Sequence, residues 1–226
     1  MEKPRAVLFD AYGTLFDVYS VALLAEQLFP GQGQRLSTLW RDKQIEYTRL
    51  VTTSNHGAHY RPFWELTRLS LEYTLERLKL ERESGQVENL MQQYAHLSPF
   101  TENLAVLQKI KDMGLTTAIL SNGSVDMLTS AVKSAGMEDV LDHLISVDSI
   151  RLFKTSPESY GLVQQAIPVN KDEVLFVSSN AWDALGATWF GFTTHWVNRQ
   201  GLPFEALSPR PHFSGADLNS VLASIG

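Results

Sequence analysis

The chain has 226 residues, 44% hydrophobic and 19% charged, a globular composition that excludes a disordered or fibrous protein and suits one or two domains. Its 25 acidic residues outnumber its 19 Lys and Arg, the formal net charge is -6, and no Lys/Arg run occurs, so neither nucleic acid nor an anionic membrane surface is an expected partner. Cysteine is absent, which excludes disulfides, thiol catalysis and Cys-ligated metals and is compatible with a reducing cytoplasm.

The N-terminus carries Glu2, Lys3, Arg5 and Asp10, and its apolar stretch from Ala6 to Phe9 is too short for a signal peptide. No run reaches the roughly 18 apolar residues of a membrane helix. Ala6-Val7-Leu8-Phe9 reads as a buried strand that ends on a carboxylate, Asp10, with turn residues Gly13 and Thr14 behind it. From Val18 to His96 no strand run appears; apolar residues recur at helical spacing, as in Leu66, Leu69, Tyr73 and Leu80. This segment is expected to be a helical insertion placed directly after the first strand, and Ser98-Pro99-Phe100 marks its end.

Further strands are expected at 116–120, 144–147, 174–177 and 193–197, with helices at 103–112, 125–136, 157–167 and 182–190 between them. Gly114, Gly136 and Gly191 stand where helix C-caps belong. Gly201 to Ser214, with three prolines, reads as a surface loop. Strands alternating with helices imply an α/β fold, a doubly wound parallel Rossmann-like sheet with an inserted helical cap. The expected division is a core of residues 1–16 and 98–226 and a cap of residues 17–97.

Ligands bind at the carboxyl ends of such strands. Four of those ends carry reactive or hydrogen-bonding groups: Asp10, Ser121-Asn122, the segment after Val147 that leads to Lys154, and Ser178-Ser179-Asn180 with Asp183. Each alone has a plain structural reading. Asp10 suits a turn, Ser121-Asn122-Gly123 is turn chemistry, and Asn180 is a helix N-cap with Asp183 in the first turn. Lys154 alone is a solvated loop lysine, and Arg41 in Trp40-Arg41-Asp42-Lys43 a helix-surface arginine. Their convergence favours a site. His56 and His59 are three residues apart without acidic or histidine neighbours, so no metal site is expected there.

Asp10-Ala11-Tyr12-Gly13-Thr14-Leu15-Phe16-Asp17 resembles the first motif of the haloacid dehalogenase superfamily. Leu120-Ser121-Asn122-Gly123 resembles the second, Lys154 the third, and Ser178-Ser179-Asn180-Ala181-Trp182-Asp183 the fourth. The resemblance spans nearly the whole chain, including Leu39-Trp40-Arg41 and Asn198-Arg199, and is strongest to the L-2-haloacid dehalogenases. Superfamily phosphatases resemble D-x-D-x-T, whose second Asp protonates a leaving alkoxide. Position 12 is Tyr. A halide leaves unprotonated, so the missing acid suits carbon–halogen cleavage and not phosphate-ester cleavage. Nor does the fourth motif, with one acid, suit Mg²⁺. No cofactor is expected.

The resemblance implies that Asp10 attacks the α-carbon of an L-2-haloacid to form an ester, which water then opens at the Asp10 carbonyl to release a D-2-hydroxy acid. Lys154 pairs with Asp10; Thr14 and Tyr160 hold these groups in place. Ser121 and Asn122 take the substrate carboxylate, and Ala11 lies in the same substrate pocket. Arg41 receives the halide. Ser178, Asn180 and Asp183 position and activate water, and Tyr12, Ile45, Phe63 and Trp182 wall the alkyl side. A homodimer is implied as well. Two departures stand out: Asp42, where relatives carry an uncharged glutamine, and Thr155-Ser156-Pro157, where relatives more often read Pro-x-Pro. The competing readings are a Mg²⁺-dependent phosphatase on the same fold and a binding module with a worn site.

Overall fold

The structure, a computed structural model, describes residues 3–226. Strands β1 (Ala6–Phe9), β2 (Thr116–Ser121), β3 (His143–Ser146), β4 (Val174–Ser178), β5 (Thr193–Val197) and β6 (Phe213–Gly215) form one sheet in the order β3-β2-β1-β4-β5-β6. Every pairing is parallel. The chain builds outward from β1 to one edge, then returns to β4 on the other side. The order therefore reverses between β1 and β4, where a crevice opens at the carboxyl ends. Strands β1 and β4 are wholly buried, as continuous apolar runs in a sheet covered on both faces must be.

The segment expected to be a surface loop is partly strand. Residues 213–215 pair with β5 in parallel register, Trp196 opposite Ser214. Three residues containing a glycine carry no readable alternation. The ladder to β5 makes this strand, and His212 Nδ1 helps anchor it by accepting the Thr194 amide at 3.1 Å.

Helices α1 (Val21–Leu28), α2 (Gly33–Thr53), α3 (Phe63–Arg77) and α4 (Gln86–Ala95) make up the insertion. Helices α5 (Asn103–Asp112), α6 (Val125–Ser134), α7 (Pro157–Ala166), α8 (Ala181–Phe190) and α9 (Leu222–Ile225) flank the sheet. Gly191 ends α8 at φ +106°, a left-handed cap that other residues adopt only with strain. Helix α2 buries Leu36, Trp40, Gln44 and Thr48 at i+4 spacing, with Arg41 and Ile45 beside them. An apolar stripe carrying a buried arginine points that arginine into the molecule.

On α3 the sequence pattern is misleading. Leu66 is buried, but Tyr73 is exposed and Leu80 lies beyond the helix. Thr67, Ser70 and Thr74 occupy the buried face because their hydroxyls bond helix carbonyls at 2.7–2.8 Å. The chain leaves the sheet layer and returns to it side by side: the Asp17 amide donates to Ser98 O at 2.8 Å and the Phe100 amide to Leu15 O at 3.3 Å. Among the described residues no helix is long and apolar enough to cross a membrane.

Candidate active site

Asp10 leaves β1 at the reversal point, only 5% exposed. Its Oδ1 accepts Lys154 Nζ at 3.1 Å; its Oδ2 accepts Thr14 Oγ1 at 3.0 Å and Asn180 Nδ2 at 2.7 Å. Lys154 Nζ also reaches Asp183 Oδ2 at 2.9 Å, so one ammonium bridges two carboxylates. Asp183 is wholly buried on the first turn of α8, and Tyr160 from α7 donates to its Oδ1 at 2.8 Å. Burial raises the Asp183 carboxyl above the usual carboxylate range and Asp10 pushes the same way, while Lys154 pulls against both. Burial likewise raises the Tyr160 hydroxyl well above its ordinary value, so it stays a donor.

Thr14 has two tasks. Its hydroxyl donates to Asp10 and accepts the Ser179 amide at 2.8 Å, tying the β1 turn to the β4 turn. Asn180 is oriented without ambiguity. Arg41 Nη2, which can only donate, lies 3.2 Å from its Oδ1, so its Nδ2 faces Asp10. Arg41 also donates to the Tyr12 carbonyl at 3.0 Å and to Gln44 Oε1 at 2.7 Å. An arginine from the insertion is thereby seated over the sheet edge.

Tyr12 packs beside Phe63, Phe16 and Tyr94, with ring centroids 5.5, 6.3 and 5.7 Å away. The far end of its ring lies against Gly123, where an added Cβ would come within 2.7 Å. Gly123 lets the aromatic wall meet the β2 turn. Burial, and then Tyr94, keep the Tyr12 phenol far from ionising. Asn122 Oδ1 accepts the Lys154 amide at 3.0 Å. Ser121 and Ser178, both fully buried, use their hydroxyl oxygens to cap turns, accepting the amides of Gly123 and Asn180 at 3.1 Å each. The Ala11 carbonyl collects the amides of Thr14, Leu15 and Phe16.

The sequence-derived site residues therefore converge. Asp10, Thr14, Arg41, Lys154, Tyr160, Asn180 and Asp183 form one hydrogen-bonded network, with Tyr12 and Asn122 joined to it and Phe63 packed on Tyr12. Ile45 and Trp182 line a cleft of about 820 Å³ between α2 and the sheet edge, together with Arg41 and Asn180. Asp10 lies behind that pair. Asp42 is exposed and no ion pair joins it to Arg41 among the described residues, so the charge beside Arg41 faces solvent. Pro157 opens α7 at its first position, a place proline suits, and does not displace Lys154.

Sequence reasoning missed the support of Arg41. Gln44 Nε2 donates to Thr67 Oγ1 at 2.6 Å and to Tyr94 OH at 3.0 Å, fixing the amide whose oxygen meets Arg41. A buried arginine needs such a partner, and the i+3 spacing on α2 was the available signal. Among the described residues no group of three or more His, Asp or Glu is arranged to hold a metal.

A parallel sheet with a buried carboxylate after its first strand and a helical insertion behind it suits a class of hydrolases. The family model described as haloacid dehalogenase-like hydrolase matches residues 4–191, and the chain belongs to that family. It is 41% identical to an (S)-2-haloacid dehalogenase of Pseudomonas sp. (strain YL) over 98% of this chain and 94% of the relative. Its fold is similar to the crystal structure of the L-2-haloacid dehalogenase RSc1362, with a TM-score of 0.97 and 53% identity over 99% of both chains. It is also similar, at a TM-score of 0.89 and 37% identity over 98% of both, to an L-2-haloacid dehalogenase of Xanthobacter autotrophicus with chloropropionic acid covalently bound.

Proposed function

We infer that the chain hydrolyses L-2-haloalkanoic acids and haloacetates to D-2-hydroxy acids and glycolate plus halide, through an ester on Asp10. The observation that carries this reading is a carboxylate held by Lys154, Thr14 and Asn180 in a wall of aromatic side chains, with tyrosine at the position where phosphate-ester cleavage needs an acid.

Oδ1 is the freer oxygen of Asp10, with one donor against two at Oδ2. Its lone pair attacks the α-carbon opposite the halogen. The O–C bond forms as the C–X bond breaks, and halide leaves with the bonding electrons toward Arg41. Oδ2 then becomes the ester carbonyl oxygen. Thr14 and Asn180 already donate to it, so they stabilise the negative charge that grows there when water attacks the Asp10 carbonyl carbon. Asp183, made more basic by burial, takes one water proton, which returns to the departing hydroxy-acid oxygen as the ester opens; the second water proton, left on the Asp10 carboxyl, is lost to solvent and restores the carboxylate. The product keeps the Asp10 oxygen, and water replaces it. Only the first step touches the α-carbon, so configuration inverts once.

Ser121, the Asn122 turn and Ala11 hold the substrate carboxylate near the start of α6, where backbone amides favour anions. Tyr12, Ile45, Phe63 and Trp182 exclude water from the alkyl side, while Ser178 fixes the Asn180 turn. The Lys154 ammonium already supplies the positive charge between the two acids, so the residues call for no metal or cofactor. The cap is residues 17–97, entered and left side by side where Phe16 pairs with Pro99. The protein works in the cytoplasm as a homodimer, with exposed Leu50 and Tyr73 on α2 and α3 as candidate contacts. Light scattering on the purified protein tests the dimer.

Halide release from L-2-chloropropionate in EDTA tests the activity, against p-nitrophenyl phosphate turnover in Mg²⁺. Halide release in EDTA establishes the reading; Mg²⁺-dependent phosphate release without halide overturns it in favour of the phosphatase.

A further inference from the structure

We infer that Tyr60 and Asp148 are positioning residues that clamp the helical insertion onto the loop carrying Lys154, and so set its ammonium against Asp10. The inference deepens the dehalogenase reading and rests on it. Asp148 follows the edge strand β3, at the start of the loop that leads to Lys154. Tyr60 lies in the segment between α2 and α3. Its hydroxyl donates to Asp148 Oδ1. Burial, then the Asp148 carboxylate, hold that hydroxyl in its protonated form.

The same segment makes further contacts with the same loop. The Tyr60 ring stacks on Phe153 at 5.1 Å, and Phe153 also meets Phe63 at 6.2 Å. The Phe153 amide donates to Thr52 Oγ1 at 3.0 Å, at the end of α2. Gly57, at φ +77°, lies so close to the loop that an added Cβ would come within 2.8 Å of the Arg151 carbonyl. Residues 52–60 of the insertion thus grip residues 148–153, and the next residue is Lys154. From the opposite side Asn122 accepts the Lys154 amide at 3.0 Å. The lysine backbone is pinned once by the sheet layer and once by the insertion.

This matters because a lysine is a point charge on a flexible stem. Its two contacts, 3.1 Å to Asp10 and 2.9 Å to Asp183, depend on where its backbone is held. Small displacements of groups around a reacting atom cost large factors in rate. The substrate carboxylate and halide are held elsewhere, by the β2 turn and Arg41. Loosening the clamp therefore slows the displacement and leaves substrate affinity alone.

The test is single-turnover halide release from L-2-chloropropionate with enzyme in excess, alongside steady-state KM and thermal melting. Tyr60→Phe keeps the ring on Phe153 and loses only the hydrogen bond. Asp148→Ala removes the acceptor, and Asp148→Asn restores an acceptor oxygen. Tyr60→Phe and Asp148→Ala are each expected to slow halide release about tenfold with KM and melting temperature little changed, and together no more than either alone, as members of one coupled pair do. Asp148→Asn should keep most of the rate. Unchanged rates, a raised KM at unchanged kcat, additive losses, or an Asp148→Asn as slow as Asp148→Ala each overturn the clamp. Should Asp148→Ala fail to fold, Tyr60→Phe with Thr52→Val makes the same test through the Phe153 amide. A wild-type protein that releases no halide overturns the dehalogenase reading instead, so the two failures are distinct.

Discussion

The site draws on two regions that bury charge in different ways. In the sheet layer, Asp10, Lys154 and Asp183 lie within hydrogen-bonding distance in a row, and Tyr160, Thr14 and Asn180 complete their valences. Asp10 is fixed by a strand end and Tyr160 and Asp183 by the first turns of helices, while Lys154 stands on the loop between β3 and α7. In the insertion a single cation, Arg41, is buried on a helix, and neutral groups satisfy it: Gln44, the Tyr12 carbonyl and the Asn180 amide oxygen. The first arrangement sets one ammonium between two carboxylates, so its cation is already fully paired before substrate arrives. The second has an unbalanced positive charge, suited to an anion that forms only during the reaction. A carboxylate partner for Arg41 would have neutralised that use, which is why the solvent-facing Asp42 is compatible with function.

The largest effect belongs to the sheet layer. Asp10→Asn removes the proposed attacking oxygen, and halide release should fall by roughly 10⁴-fold or more, as when other enzymes lose a nucleophile. Melting temperature should hold or rise, because Lys154 still has Asp183. Residual turnover near wild type would move the nucleophile elsewhere and dissolve the contrast.

Arg41→Lys probes the other half. It keeps the charge and loses the planar fork that reaches Gln44, Tyr12 and Asn180 at once. kcat should fall about 10²–10³-fold, the scale of losing one preorganised transition-state donor, with a smaller change in KM. Equal losses in kcat and 1/KM would make Arg41 a substrate-binding residue instead. Gln44→Leu leaves Arg41 in place but removes its neutral partner. About a tenfold loss of kcat is expected, and rapid kinetics should place it in halide release rather than in ester hydrolysis.

The same contrast explains what the sequence disclosed. Strand ends announce themselves: an apolar run such as Val174–Val177 stops abruptly at serine and asparagine, and in a parallel sheet all such stops face one crevice. Asp10, Asn122, Lys154 and Asp183 were therefore legible from local pattern. On helices the reading weakened. Arg41 looks like a surface residue, and only the family resemblance singled it out, because its burial depends on α2 docking over the Tyr12 carbonyl. Thr67 and Tyr94 were illegible for the same reason, and Gln44 offered only its i+3 spacing from Arg41. Strand β6 left no trace because its pairing with β5 is a long-range event, and α3 misled because serine and threonine hydroxyls are satisfied within their own helix.

The smallest effect on turnover lies in the sheet layer but away from the site, at a third solution to buried polarity. His195, on β5 and 1% exposed, has neither a charge partner nor a role in the site; its two ring nitrogens meet Ser224 and Ser220 at 2.8 and 3.0 Å. Burial lowers its pKa from 6.5 to about 4. The native state thus prefers neutral imidazole, while the unfolded chain takes up a proton near pH 6.5. The stability held above that pH is lost progressively as pH falls toward 4, by about 1–3 kcal/mol in all. In His195→Gln, which cannot titrate, urea unfolding should show a shallower fall in midpoint between pH 6.5 and 4 than the wild type, with kcat at pH 7 within about twofold, as for a residue remote from the site. The carboxylates titrate in both proteins, so the difference between the two slopes isolates the imidazole. Parallel slopes would mean that His195 accepts its proton inside the fold, with both serines turning their oxygens toward it, and that the sheet layer tolerates a cation without a carboxylate partner just as the insertion does.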